Sequence, residues 1–325
     1  MQQRIVLIGP KFFGYSSAIV KYLNDRDGID AIFIDERRDN SFFIKSIYRV
    51  NVFKRLFKLI ITKRRKEIYR EIEAFNPTDI IFISPEYFDC ADLEFVERMK
   101  CRSILYMWDS FANKPSARPY VDKFDRCISF DFEDAKEHSM EILNLFAERE
   151  FFTSANVDFN KKFDVCFVGT LHSNRIKYLL QLQQICEKMQ IRTKVHAYYG
   201  NYFYFFKAKI AEFYFRCRIG TWDSLTKKET AQIFKASSIV LDITHPNQRG
   251  LTSRTFEALA SGATVLTNNK YALQYLDEYS NRIRIFAEDS FEADLIETLE
   301  NFEGPSTEDK SAYLSLNRFC KELLG

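Results

Sequence analysis

Short apolar runs recur along this chain, separated by polar, glycine- or proline-containing breaks. Ile5 to Gly9, Ala31 to Asp35, Asp79 to Ser84, Ser103 to Met107 and Arg126 to Phe130 are apolar nearly throughout, the pattern of strands buried on both faces. Between them the apolar spacing changes to that of a helix. Ser17 to Leu23 is amphipathic, and Phe53 to Phe75 places Phe53, Leu56, Phe57, Ile60 and Ile61 on one side. Strand, glycine-containing loop, helix and strand in succession open a doubly wound α/β domain. Ser154 to Lys162 is polar and without period, which predicts a linker between a domain at 1–153 and a second at 163–306. The second half repeats the alternation. Strands are expected at Phe163–Thr170, Thr193–Tyr199, Ile239–Ile243 and Ile283–Phe286. Helices are expected at Ile176–Met189, Tyr202–Arg218, Thr226–Ala236, Ala272–Leu276, Glu292–Asn301 and Thr307–Leu324. Thr226 and Glu229 form a capping-box pattern.

The stretch from Leu251 to Asn269 reads as a short helix, a glycine stop and a buried strand. Thr252 or Ser253 can cap the start, and Phe256, Leu259 and Ala260 make one apolar face. Gly262 stands where a left-handed residue ends a helix, and Ala263 to Leu266 run on as strand. Ser253 and Arg254 lie at the helix start, where N–H groups and the positive dipole end favour a phosphate. Glu257 follows Arg254 by three residues and shares its face. Charge for a diphosphate and an acceptor for ribose hydroxyls together suit a sugar nucleotide. The competing reading is a surface helix with an ordinary ion pair between Arg254 and Glu257.

The run from Arg254 to Ala263 resembles the donor-binding motif of GT-B glycosyltransferases, nearest the spore-maturation CgeB-like branch and related capsule and lipopolysaccharide transferases. The resemblance implies two Rossmann-like doubly wound α/β domains facing each other across a cleft. The acceptor side would be 1–153, the nucleotide-sugar side 163–306, and a C-terminal helix in 307–325 would pack back on the first domain. It implies that Glu257 holds the nucleotide ribose. Phe163 to Thr170, the following loop and Arg175 form a strand, glycine, loop, basic residue and helix start that would cradle phosphate. The resemblance assigns Gly169, Thr170 and Arg175 to the donor diphosphate. It places Gly14 and Tyr15 toward the acceptor, where a packing turn is the alternative. The loop from His245 to Gly250 would supply donor-sugar contacts, with His245 and Arg249 as candidates. Many retaining GT-B enzymes carry a glutamate at the position that is Arg249 here, so the stereochemical course is open.

Ligands of open α/β sheets bind beyond the carboxyl ends of the strands, where Trp108-Asp109-Ser110 stands. Asp109 is the candidate catalytic carboxylate: a base in an inverting reaction, or an orienting group in a retaining one. The run Tyr106 to Ser110 also resembles the CgeB-like branch. Capping the next turn is the competing role for Asp109.

Composition narrows the classes. The chain has 325 residues, 46% of them hydrophobic, enough for two cores, and its net charge of +2 gives no global drive toward nucleic acid. Nine basic residues and no acidic one lie between Asn40 and Lys66. A helix over 53–66 with that charge and bulky apolar residues can meet an anionic membrane surface, or be an ordinary solvated face. Tyr202 to Arg218 holds eight aromatics among seventeen residues, as a second interfacial element or a helix clamped between domains. Seven scattered cysteines without a CxxC pair argue against a disulfide scaffold or zinc site. Met1 to Arg4 leads straight into a strand, so no signal peptide is expected, and no window has the roughly 18 apolar residues of a membrane span. The expected location is cytoplasmic, peripheral on the inner face of the plasma membrane if the basic helix docks there.

A leaving diphosphate needs positive charge. The one Asp-x-Asp run, Asp25 to Asp27, precedes a strand and so lies at the wrong end of the sheet for a metal site. Arg175, Arg254 and helix N-termini are the alternative, so neither metal nor cofactor is expected. The reading is a glycosyltransferase moving a sugar from a nucleotide sugar to a glycan or lipid-linked acceptor in bacterial surface polysaccharide synthesis. The alternatives are a non-catalytic nucleotide-sugar-binding subunit of an assembly complex and a GT-B-like sugar-nucleotide epimerase.

Overall fold

The computed structural model describes residues 2–11, 14–37, 54–153, 161–172, 174–200, 202–215, 219–245, 248–302 and 311–325. Most of the expected linker, the basic stretch 40–53 and residues 303–310 lie outside these. The chain divides into a unit of Met1–Asn144 with Cys320–Gly325, and a second of Leu145–Phe319.

In the first unit, strands β1 (Gln3–Gly9), β2 (Ile29–Asp35), β3 (Asp79–Ile83), β4 (Arg102–Met107), β5 (Arg126–Ser129) and β6 (Glu141–Ile142) form one sheet. Their order is β2-β1-β3-β4-β5-β6 and every pairing is parallel. Ile5, Val6 and Leu7 of β1 and Ile80, Ile81 and Ile83 of β3 are wholly buried, which is why these runs are apolar at every position and not at alternate ones. The helices are α1 (Tyr15–Asn24), α2 (Lys54–Phe75), α3 (Cys90–Met99) and α4 (Phe132–Glu137). The periodicity reading had no helix at α3, although Asp89 and Asp92 form a reciprocal capping box at its start. Arg102 and Arg126 donate to the carbonyls of Leu324 and Leu323 at 2.6 and 2.8 Å, which ties the C-terminal residues to this sheet.

The second unit carries β7 (Phe163–Leu171), β8 (Thr193–Tyr199), β9 (Gly220–Thr221), β10 (Ser237–Asp242), β11 (Thr264–Thr267) and β12 (Ile283–Ile285). Their order is β12-β11-β10-β7-β8-β9, again all parallel. The chain winds outward from β7 in one direction and from β10 in the other, so the boundary between these two strands is the switch point of the sheet. Its helices are α5 (Arg175–Met189), α6 (Tyr202–Phe215), α7 (Lys227–Lys235), α8 (Ser253–Ala260), α9 (Ala272–Tyr275), α10 (Phe291–Glu300), α11 (Ser311–Leu314) and α12 (Leu316–Leu324), the last running into the first unit. Thr226 and Glu229 cap α7 reciprocally. Gly262 follows α8 at φ +78°, the left-handed turn that lets Ala263 enter β11.

On α6, Tyr202, Phe203, Phe206, Ile210 and Phe213 are between 60% and 81% exposed and lie on one face. Tyr204, Phe205 and Ala208 turn the opposite face onto the core. On α2, Arg64 donates to the Asp35 carbonyl at 2.7 Å, and Arg65 holds Asp89 and Asp92 at 2.8 and 3.0 Å. Two of the expected surface cations therefore point into their own unit. Among the described residues no helix is long and apolar enough to cross a membrane.

Candidate functional site

The switch point of the second sheet brings β7, β10 and α8 together. Asp242 closes β10 and is fully buried. Its Oδ1 accepts from Arg254 Nη1 at 2.7 Å, and its Oδ2 accepts from Thr252 Oγ1 at 2.8 Å and Thr255 Oγ1 at 2.7 Å. Thr252 is the N-cap residue of α8, but its hydroxyl is spent on Asp242 and makes no cap bond. The first backbone N–H groups of α8 therefore lack the usual side-chain acceptor. Arg254 also donates through Nε to the Val168 carbonyl at 2.9 Å. A Cβ at position 169 would meet Arg254 Nη2, so a larger residue there would displace the arginine from its place across β7.

Arg175, at the start of α5, is 5% exposed and donates to carbonyls: Ile243 through Nε and Nη2 at 2.9 and 2.6 Å, and Thr170 through Nη1 at 2.7 Å. Both guanidinium groups lie over the Phe167 ring, Arg254 at 5.3 Å and Arg175 at 5.8 Å. Burial, and then the charge of Arg254, lowers the Arg175 pKa to about 9, against the pull of Asp242. Burial also pushes His172 down to about 3, helped by Arg175, Arg254 and His245, whose ring lies 6.4 Å away. Arg175, buried, and Arg254, half-buried, share Asp242 beside a histidine that stays neutral, which leaves a local excess of positive charge. Such a place favours an anion.

Glu257 lies one turn along α8 and is 7% exposed. Glu257 stands one turn from Arg254, whose ion pair is with Asp242. Its charge acts on Lys227 of α7, which burial lowers to about 8 and which also pairs with Glu148. Ser253 is half-buried at the start of α8, and Gly169 and Thr170 close β7 beside Arg254 and Arg175. Arg249 is exposed, and its carbonyl accepts from Asn269 Nδ2 at 2.9 Å, pinning the loop before α8 to the end of β11. Arg254, Arg175, Gly169, Thr170, His245 and Ser253 are thus gathered at one switch point. Asp242 and Phe167 complete it and went unnoticed in the sequence. Asp242 could have been found by the strand-end rule that singled out Asp109.

In the first unit, Asp109 follows β4. Its Oδ1 accepts from the Ser110 N–H and from Asn113 Nδ2, both at 3.0 Å, and its own N–H donates to Ser84 Oγ at 3.1 Å. These bonds are those of a turn cap. Gly14 is the N-cap residue of α1 at φ +80°, with Tyr15 half-buried next to it. Among the described residues no cluster of three or more His, Cys, Asp or Glu is placed to hold a metal ion.

Comparison with known proteins bears on the architecture. A structure of a Listeria monocytogenes protein described as a UDP-N-acetylglucosamine 2-epimerase matches with a TM-score of 0.60 at 12% identity, covering 100% of this chain and 95% of that one. A glycosyltransferase of avilamycin A biosynthesis matches at 0.58 and 11% identity, over 99% and 93%. The UDP-GlcNAc 2-epimerase of Methanocaldococcus jannaschii matches at 0.57 and 14%, over 100% and 99%. The fold is GT-B. Residues 181–313 also match the model of a glycosyl transferase-like family, and that span contains Asp242, Arg254 and Glu257. No curated protein matches.

Proposed function

We propose that this chain is a glycosyltransferase that binds a nucleotide sugar at the switch point of its second sheet and transfers the sugar to a glycan or lipid-linked acceptor. The observation that carries the reading is the Arg175–Arg254 pair over Phe167, with Asp242 as its one carboxylate. A departing diphosphate develops negative charge, and preorganised cations with the start of α8 stabilise it without reorganisation. Glu257, one turn on, would accept from the ribose hydroxyls. The family match at 181–313 supports transfer; the assignment to the CgeB-like branch and to bacterial capsule or lipopolysaccharide synthesis rests on the resemblance of the Arg254 to Ala263 run alone. The side chains named supply the charge a metal would otherwise bring, so transfer needs no divalent ion.

Thermal-shift screening with UDP, GDP, CMP, ADP and dTDP tests the site, because a bound ligand raises stability by RT ln(1 + [L]/Kd). Product detection from a panel of nucleotide sugars with hydroxyl acceptors then separates an enzyme from a binding subunit. Stabilisation by no nucleotide would refute the reading.

Epimerisation is the second reading, favoured by the fold shared with two UDP-GlcNAc 2-epimerases and by His172, which feels the charges of Arg175 and Arg254 and lies 6.4 Å from the ring of His245. Conversion of UDP-GlcNAc alone, followed by NMR without any acceptor, would establish it in place of transfer.

Attachment to an anionic membrane face is part of the proposal, but its support moves from α2 to α6. Arg64 and Arg65 are engaged internally, whereas α6 exposes Phe203, Phe206 and Phe213 beside Lys207 and Lys209. Aromatic rings with flanking cations suit the interface between headgroups and acyl chains.

A further inference from the structure

At the switch point of the first sheet, between β1 and β3, a cavity of about 690 Å³ opens beyond the carboxyl ends of the strands. A space of that size holds one small molecule, and open parallel sheets bind ligands at such points. Ile61 and Ile68 of α2, with Phe82, Phe88 and Phe95, form its apolar walls. The walls are braced: Phe82 meets Phe88 edge-on at 5.0 Å, and Tyr69 stacks on Phe95 at 3.9 Å.

The charged groups of the lining are already matched. Arg37 donates to Glu86 at 2.7 Å, and Lys114 also pairs with Glu86. Arg65 holds Asp89 and Asp92, while Arg64 holds the Asp35 carbonyl and Glu71 at 2.7 and 3.1 Å. A charged ligand would have to displace one of these partners, at a cost that a neutral ligand avoids. Glu36 differs from the rest. One of its oxygens accepts the Glu86 N–H at 2.8 Å, and the residue lines the cavity while half-buried. Burial raises its pKa to about 8, opposed by Arg37 and Lys114 and reinforced by Asp92 and Asp35. A neutral carboxyl both donates and accepts, which suits an alcohol.

We propose that this cavity binds an uncharged amphiphile, its apolar part against Ile61, Ile68 and Phe82 and a hydroxyl hydrogen-bonded to Glu36. Every residue concerned belongs to the first unit, so the proposal stands apart from the donor site in the second.

Calorimetric titration of the full chain with three probes below their micellar concentrations tests it. Octyl glucoside has the tail and hydroxyls, methyl glucoside lacks the tail, and octyl sulfate carries a charge. Saturable one-site binding of octyl glucoside, at least tenfold tighter than either of the others, is expected. Ile61→Trp and, from the loop after β4, Ser116→Trp fill the space, and each should weaken binding at least tenfold with an unchanged melting temperature. If Ile61→Trp does not fold, Ser116→Trp decides. A Phe203→Asp, Phe206→Asp variant controls for uptake on α6 and should bind normally. Octyl sulfate binding as tightly as octyl glucoside, wild-type affinity in the folded filled variants, or loss of binding in the α6 variant alone would each overturn the proposal.

Discussion

Arg254 Nη1 and Asp242 Oδ1 lie 2.7 Å apart, and this ion pair joins the first turn of α8 to the carboxyl end of β10. With the Thr252 and Thr255 hydroxyls on the other oxygen, Asp242 sets where the start of α8 points. Asp242→Asn should therefore destabilise the second unit by about 3–5 kcal/mol, the scale of leaving a buried charge without its partner. Nucleotide affinity should fall as well. Urea denaturation reads the first effect, and wild-type stability in the variant would show that the pair does not hold α8.

Glu257→Ala should weaken nucleotide binding by about 1–3 kcal/mol, the loss of a charged hydrogen bond to ribose. Titration with whichever nucleotide stabilises the wild type measures this. Unchanged affinity would remove Glu257 from the donor site.

On the proposed reading, in which Arg175 and Arg254 supply charge at the leaving diphosphate, activity should survive excess EDTA. Complete loss, restored by Mg²⁺ or Mn²⁺, would mean that these arginines do not suffice.

Wild-type protein should co-sediment with anionic vesicles at low salt and release as salt shortens the Debye length. A Phe203→Ser, Phe206→Ser, Phe213→Ser variant should lose most of this binding. A Lys63→Glu, Arg64→Glu, Arg65→Glu variant should instead lose stability, since Arg64 and Arg65 hold Asp35, Asp89 and Asp92. Full vesicle binding by the phenylalanine variant would clear α6 of the role.

Two groups make stability depend on pH in opposite senses. The Glu36 pKa is raised from 4.5 to about 8, so the folded state holds a proton the unfolded chain has lost, and stability falls as pH rises from about 5 to 8. His172 is lowered from 6.5 to about 3, so its contribution is complete above pH 6.5 and fades as pH falls toward 3. Glu36→Gln should thus gain on the wild type by about 1–3 kcal/mol between pH 5 and 8, and His172→Gln should flatten the acid limb. Parallel pH dependence in wild type and both variants would contradict these environments.

The strands apart from the two-residue β6 and β9, most helices and the Gly262 stop were legible because their causes are local. Apolar spacing, capping residues and left-handed turns act within four or five positions of chain. The Thr226–Glu229 capping box and the buried run of β10 were readable for that reason. Helix α3 was equally local in its capping box, but Cys90 to Met99 lacks a clean apolar stripe, since Phe95 and Val96 alone are buried. The positively charged character of the candidate site was legible at Arg175 and Arg254 because those residues start helices after strands. Their partners were not. Arg254 meets Asp242 and the Val168 carbonyl, 12 and 86 positions away, only because parallel pairing sets β10 beside β7. Arg64 and Arg65 look like a membrane-facing cluster in the sequence, and only the folded chain gives them Asp35, Asp89 and Asp92. Glu36 gives no local sign of its raised pKa, since that comes from its burial in the folded chain, which outweighs the opposing charges of Arg37 and Lys114. Periodicity decides which residues leave water, whereas burial and charge pairing depend on which strands lie side by side, and that is set by the crossovers.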